Sequence, residues 1–142
     1  MFVTGGAKGI GAAVVEKCLT EGASVSLMDL DFGGGEAFRD RLPANRTMFV
    51  AGDVRCATDI ERATAAGSAK FGPVTGLVNN AGCNSYADPV AMTEAQWDDD
   101  FSVDLKSAWL CARAVLPECA VARLHADAVG RAILHQARPV PA

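Results

Sequence analysis

Short apolar runs alternate with longer stretches of helical period along the whole of the chain's first 117 residues. Residues 1–4 ("MFVT") read as a short apolar strand. Residues 10–22 follow, with Ile10, Val14, Val15, Cys18 and Leu19 at the i, i+4 spacing of one helix face, and stop at Gly22. The pattern then predicts a strand over 23–30, a short helix over 35–42 ended by Pro43, a strand over 46–54 and an Ala-rich helix over 57–71. A fourth strand runs into a loop over 73–82, and Thr93 caps a long helix, with Glu94 in its first turn, that continues to about Leu116. Strict strand–helix alternation predicts βαβ units, and therefore a parallel sheet covered by helices on both faces. The expected fold class is α/β, a Rossmann-like doubly wound parallel sheet, truncated after its fourth or fifth strand.

Composition narrows the range of functions. At 142 residues the chain has the size of one domain, able to bury roughly two-thirds of its unfolded surface. It is 50% apolar, 21% charged and 6% aromatic, the profile of a globular protein. No apolar run reaches the roughly 20 residues of a membrane span, and the start resembles no signal peptide, so no membrane partner and a cytoplasmic location are expected. A net charge of −4 with dispersed Lys and Arg disfavours nucleic acid as a partner. The five cysteines are widely spaced without a CxxC pair, which predicts small buried apolar residues and no metal site.

In a doubly wound sheet ligands bind beyond the carboxyl ends of the strands, and two candidate elements lie there. "TGGAKGIG" (4–11) joins the first strand to the first helix. In it Gly5 would permit a tight turn, Gly9 would let the backbone approach a phosphate, and Gly11 would allow close helix packing. A pyrophosphate would then rest on the helix N-terminus. Asp29 stands 18 residues beyond Gly11, where an acidic residue accepts hydrogen bonds from an adenosine ribose and repels a 2′-phosphate. The expected cofactor is NAD, with NADP less favoured, although the cation of Lys8 in the loop pulls the other way. A P-loop reading fails because "GGAKGIG" lacks the G-K-[ST] ending.

Five motifs in order, "TGGAKGIG", Asp29, "GDV" (52–54), "NNAG" (79–82) and "VDLKSAWLCARAVLP" (103–117), resemble the classical short-chain dehydrogenases/reductases over residues 1 to about 117. The resemblance implies an NAD(P)-dependent oxidoreductase acting on an alcohol or carbonyl group. It implies cofactor contacts at Gly5, Lys8, Gly9, Ile10, Gly11 and Asp29. It further implies that Asp53 and Val54 bracket the adenine, and that Asn79, Asn80, Ala81 and Gly82 line the cofactor near the nicotinamide ribose. A homo-oligomer formed through the 93–116 helix is expected, because family members pair there and the helix carries Trp97, Phe101, Leu105, Trp109 and Leu116.

Two departures bear on catalysis. Asp104 occupies the position where the family's long helix has an asparagine that helps hold a water in the proton relay, and it is the one catalytic candidate. The family's catalytic serine and Y-x-x-x-K pair have no counterpart: the only tyrosine is Tyr86, the residue four further on is Val90, and the last lysine is Lys106. A second reading is therefore a dinucleotide-binding fragment or pseudoenzyme without turnover. His125 and His135, ten residues apart, fit neither a helical metal pair nor a triad order. The boundary is expected at Pro117, with 118–142 a divergent tail, frame-shifted or truncated, that lacks Phe, Trp, Tyr, Lys, Ser, Thr and Asn. Alternatively 118–128 extends the long helix and 130–135 forms a fifth strand.

Overall fold

The computed structural model describes residues 1–118, and the backbone of two further strands at 122–126 and 132–136. The elements run β1 (Phe2–Thr4), α1 (Gly9–Thr20), β2 (Val25–Asp29), α2 (Phe32–Arg39), β3 (Thr47–Ala51), α3 (Ala57–Phe71) and β4 (Gly76–Val78). They continue as α4 (Glu94–Phe101), a π-helical turn (Ser102–Lys106), α5 (Ser107–Val115), β5 (Ala122–Ala126) and β6 (Ala132–Gln136). The sheet order is β3-β2-β1-β4-β6-β5. Its first four strands are mutually parallel, with Phe2 opposite Ser26 on one side and Leu77 on the other. This is the doubly wound arrangement expected from the alternation of periods, and its strand order reverses direction at β1 and β4, where the two halves of the sheet meet.

Both faces of the central strands are buried, which explains why they read as continuous apolar runs. Successive residues serve opposite layers. Phe2 and Met28 pack with Ile60, Leu110, Cys111 and Val115 under α3 and α5. Their neighbours Val3 and Leu27 pack with Val15, Leu19 and Phe38 under α1 and α2. The glycine loop thereby leaves the sheet from a strand that is fixed on every side.

Four details depart from the sequence reading. Helix α2 begins at Phe32 because Asp31 caps it, its carboxylate accepting the Gly34 N–H at 2.9 Å, so Gly33, Gly34 and Gly35 are helical. Gly35 is needed there for packing, since a Cβ would lie 2.2 Å from the Phe49 ring. The helix after Thr93 ends as expected near Leu116, but five of its residues form a π turn. Residues 122–126 are strand and do not extend the helix. Pro117 has no N–H to continue the ladder, and one 3₁₀ turn (Leu116–Glu118) closes it. The strand at 132–136 pairs antiparallel with both β4 and β5, and the few residues that separate it from β5 in sequence are too few for a parallel crossover. His125 and His135 fall on these strands, and their side chains lie outside the described residues, as does most of the segment read as a divergent tail.

Among the described residues no helix is long and apolar enough to cross a membrane.

Candidate functional site

Beyond the carboxyl ends of β1, β2 and β4 lies a cavity of about 470 Å³, within the roughly 300–1,000 Å³ usual for small-molecule sites. Its lining includes eight of the twelve residues that the sequence assigned to a dinucleotide: Gly5, Lys8, Asp29, Asp53, Val54, Asn80, Ala81 and Gly82. Of the other four, Gly9, Ile10 and Gly11 form the first turn of α1, where Ile10 is exposed, and Asn79 is buried.

The glycine loop is shaped by sterics. Gly5 and Gly9 have φ of +60° and +56°, the left-handed region in which a Cβ is strained. A Cβ on Gly9 would meet nothing within 4 Å, so the space beside this turn is open. No side chain caps the start of the twelve-residue α1, and its dipole points at the loop. Gly11 is opposite in character. A Cβ there would lie 2.0 Å from the Gly5 oxygen and 2.5 Å from Asn80 Nδ2.

Thr4 and Asn80 hold this loop to the one that follows β4. Asn80 Nδ2 donates to the Thr4 and Gly5 carbonyls at 3.1 and 2.9 Å. The Thr4 hydroxyl accepts the N–H groups of Asn80 and Ala81 at 3.1 and 3.2 Å. Thr4 was absent from the sequence-based site. Its only signal was a hydroxyl directly before the glycines. Asn79 is buried and does not line the cavity.

Asp29 ends β2 with only 8% exposure. One carboxylate oxygen accepts the Ala7 N–H at 3.0 Å and the other the Asp31 N–H at 3.1 Å. Each oxygen therefore keeps a second lone pair for a ligand hydroxyl.

Asp53 is differently committed. Arg55 Nε reaches both of its oxygens, at 3.0 and 2.9 Å, Nη2 donates at 2.6 Å, and the Arg55 backbone N–H at 2.9 Å. This fork holds the Asp53 carboxyl below the usual carboxylate range. Arg55 Nη1 then crosses to Asp99 of α4 at 2.5 Å, so one guanidinium links two walls of the cavity. Sequence reading missed Arg55 and Asp99, since nothing local marks a pair 44 residues apart.

Asp104 does not line the cavity. The π turn directs its Oδ1 to the Cys83 N–H at 3.0 Å, so it fixes the loop after "NNAG", and π turns of this kind commonly accompany functional sites. Asp100 adds to that hold, accepting the Ser85 N–H at 3.1 Å and the Ser85 hydroxyl at 2.8 Å. Burial and the neighbouring Asp100 push the Cys83 thiol up to about 11, which keeps it protonated at neutral pH. Tyr86, in the same loop, is 91% exposed and has a φ of +50°.

Comparison with known proteins agrees with this geometry. The family model described as short chain dehydrogenase matches residues 1–133. The chain is 34% identical over 120 residues to a probable galactose dehydrogenase of Rhizobium meliloti, covering 82% of this chain and 47% of that one. It is 34% identical over 116 residues to a D-threitol dehydrogenase of Mycolicibacterium smegmatis, covering 80% and 45%. A solved short-chain dehydrogenase/reductase from Brucella melitensis, described as a glucose/ribitol dehydrogenase, superposes with a TM-score of 0.80 at 30% identity, covering 82% of this chain and 50% of that one. The chain spans about half the length of the relatives it matches. With four parallel strands in this order, a glycine loop stapled to "NNAG" and a family match over most of its length, the chain belongs to the short-chain dehydrogenase family.

Proposed function

We propose that this chain is the dinucleotide-binding part of an NAD-linked oxidoreductase that acts on an alcohol or carbonyl group. The observation that carries the reading is the convergence of the glycine loop, Asp29, Asp53–Val54 and "NNAG" on one cavity at the carboxyl ends of the parallel strands.

The residues fit such a cofactor. The open space at Gly9 and the uncapped start of α1 suit a pyrophosphate. The lone pairs left on Asp29 suit the adenosine ribose hydroxyls, and its buried charge disfavours a 2′-phosphate, which makes NAD the cofactor and NADP the weaker ligand. Asp53 and Val54 face the base, and Asn80, Ala81 and Gly82 the nicotinamide ribose. Lys8 lines the cavity, where its cation would meet the phosphates. When bound, the nicotinamide exchanges a hydride with the substrate carbon. The protein's part is to fix the loop through Thr4 and Asn80 and to hold the segment after β4 through Asp100 and Asp104.

Proton transfer is the weak link, and it favours a second reading of the chain as a cofactor-binding unit without turnover. These 142 residues contain no Tyr-x-x-x-Lys, and Tyr86 lies in an exposed loop with Val90 four residues on. The test is titration of the chain with NADH, followed by NAD reduction with a panel of alcohols. NADH binding is expected. Binding without reduction supports the second reading, and failure to bind NADH overturns both.

The chain is further proposed to self-associate through α4 and α5. Trp97, Phe101, Leu105, Trp109 and Leu116 are all between 43% and 60% exposed, while Leu110, Cys111 and Val115 supply the core contact. Each of the five therefore keeps about half of its surface exposed. Trp97 stacks on Phe101 at 4.2 Å, which makes a flat apolar surface. Leu105→Glu combined with Trp109→Glu is expected to shift the chain from dimer to monomer in sedimentation equilibrium with little change in stability. An unchanged mass for the double variant would rule out this face.

A further inference from the structure

We infer that Arg55 is a positioning residue for the dinucleotide: through its ion pair with Asp99 it holds α4 in place as a wall of the cavity before the ligand arrives. This role rests on the dinucleotide reading above and deepens it at one wall of the same cavity.

The wall needs such a hold. From Glu94 to Lys106, through α4 and the π turn, no residue is buried, whereas α5 buries Ser107, Ala108, Leu110, Cys111 and Val115. Yet Asp99 and Val103, which line the cavity, both belong to that unburied stretch. Apolar packing therefore fixes α5 and does little for the helix before it, where Val103 meets the core only in part. A segment with few buried contacts opens at low cost. Polar contacts have to supply its position, and they come from two sides. Asp100 and Asp104 reach the loop after β4, at Ser85 and Cys83. Asp99 reaches Arg55, in the segment after β3.

The β3 end of this tie is anchored. Arg55 is forked onto Asp53 through Nε and Nη2, and its backbone N–H donates to the same carboxylate. The Asp53 N–H donates in turn to Asp59 Oδ2, in α3, at 3.0 Å. One line of contacts thus runs from α3 through Asp53 and Arg55 to α4. Val54 belongs to the first wall and Val103 to the second, and both line the cavity. Holding the two walls together in the empty chain lowers the ordering cost that binding must meet.

Asp99→Asn is the deciding variant, because a pure charge effect and a positioning effect have opposite signs. A dinucleotide carries negative phosphates, so removing the Asp99 charge would by itself favour binding. Loss of the tie does the reverse. Asp99→Asn is expected to weaken NADH binding roughly three- to fivefold, the upper range for a half-exposed ion pair. It is also expected to speed amide hydrogen exchange over residues 94–101 in the absence of ligand. Arg55→Gln should weaken binding too, and adding Asp99→Asn to it should cost nothing further, since the tie is lost only once. NADH binding to the Asp99→Asn chain that is unchanged or tighter, weaker binding with exchange in α4 unmoved, or additive losses in the double variant overturns this inference and leaves the dinucleotide reading intact. Failure of the unaltered chain to bind NADH overturns that reading and this inference with it.

Discussion

Gly11→Ala is expected to abolish measurable NADH binding and to destabilise the fold by about 1–3 kcal/mol, the usual cost of overpacking a well-filled site. The added Cβ would lie 2.0 Å from the Gly5 oxygen, 2.9 Å from the Gly5 carbon and 2.5 Å from Asn80 Nδ2. None of these atoms is the loose end of a side chain. The Gly5 carbonyl is backbone within the turn, and Asn80 Nδ2 is held by two carbonyls at once. The clash is therefore relieved only by moving α1 off the loop or by breaking the staple between the glycine loop and "NNAG". Either change displaces the N–H groups that would meet a pyrophosphate. Gly9→Ala is the informative contrast. Its Cβ meets nothing within 4 Å, so the structural cost is confined to a φ of +56°, about 1–2 kcal/mol. Binding should nevertheless fall, because the methyl group enters the space proposed for the phosphates. Urea denaturation and NADH titration of both variants separate the two effects. A Gly11→Ala chain that binds NADH normally would show that the loop has room this structure denies it.

These glycines also show what a single sequence reveals. The strand–helix alternation, the order of the motifs and the position of Asp29 were legible because each depends on local pattern. Short continuous apolar runs against period 3.6 separate strands from helices, and ligand residues of this fold must follow strand ends. Gly11 was legible for the same reason, as a small residue where a helix leaves a strand. The long-range partners were not. Thr4 matters because two N–H groups from residues 80 and 81 reach its hydroxyl. Arg55 matters because Asp99 lies across the cavity. Nothing in "DVRC" or "WDDD" announces that they meet. The π turn was hidden too, since an apolar pattern of helical period does not register one extra residue in a turn. Its effect is to aim Asp104 at Cys83, which makes Asp104 a support for the loop after "NNAG". The antiparallel attachment of β6 was likewise beyond reach, because pairing direction depends on the length of the connection and not on the strand's own residues.

Asp29→Asn is expected to weaken NADH binding roughly 10- to 100-fold while changing NADPH binding much less, so that the preference between them nearly disappears. The carboxylate sits at 8% exposure with one backbone N–H on each oxygen, from Ala7 and from Asp31. An asparagine supplies one oxygen and one NH₂ group. Whichever way it turns, a donor faces a donor, and either the glycine loop at Ala7 or the start of α2 at Asp31 loses its partner. That buried mismatch costs about 1–3 kcal/mol of stability. The ligand loses more specifically. With aspartate each oxygen retains a lone pair for a ribose hydroxyl, and these bonds are charge-assisted. A 2′-phosphate gains nothing from that carboxylate and is repelled by its charge, so neutralising the residue removes a penalty for NADPH at the same time as a benefit for NADH. Lys8 lines the same cavity and supplies a cation that favours the phosphate once Asp29 no longer opposes it. Lys8→Gln in the Asp29→Asn background should therefore lower NADPH binding and leave NADH near its new value. Paired fluorescence titrations of the unaltered chain and both variants decide the matter. If the unaltered chain binds NADPH as tightly as NADH, or if Asp29→Asn leaves their ratio where it was, the selectivity is set by Lys8 and not by the carboxylate at the end of β2.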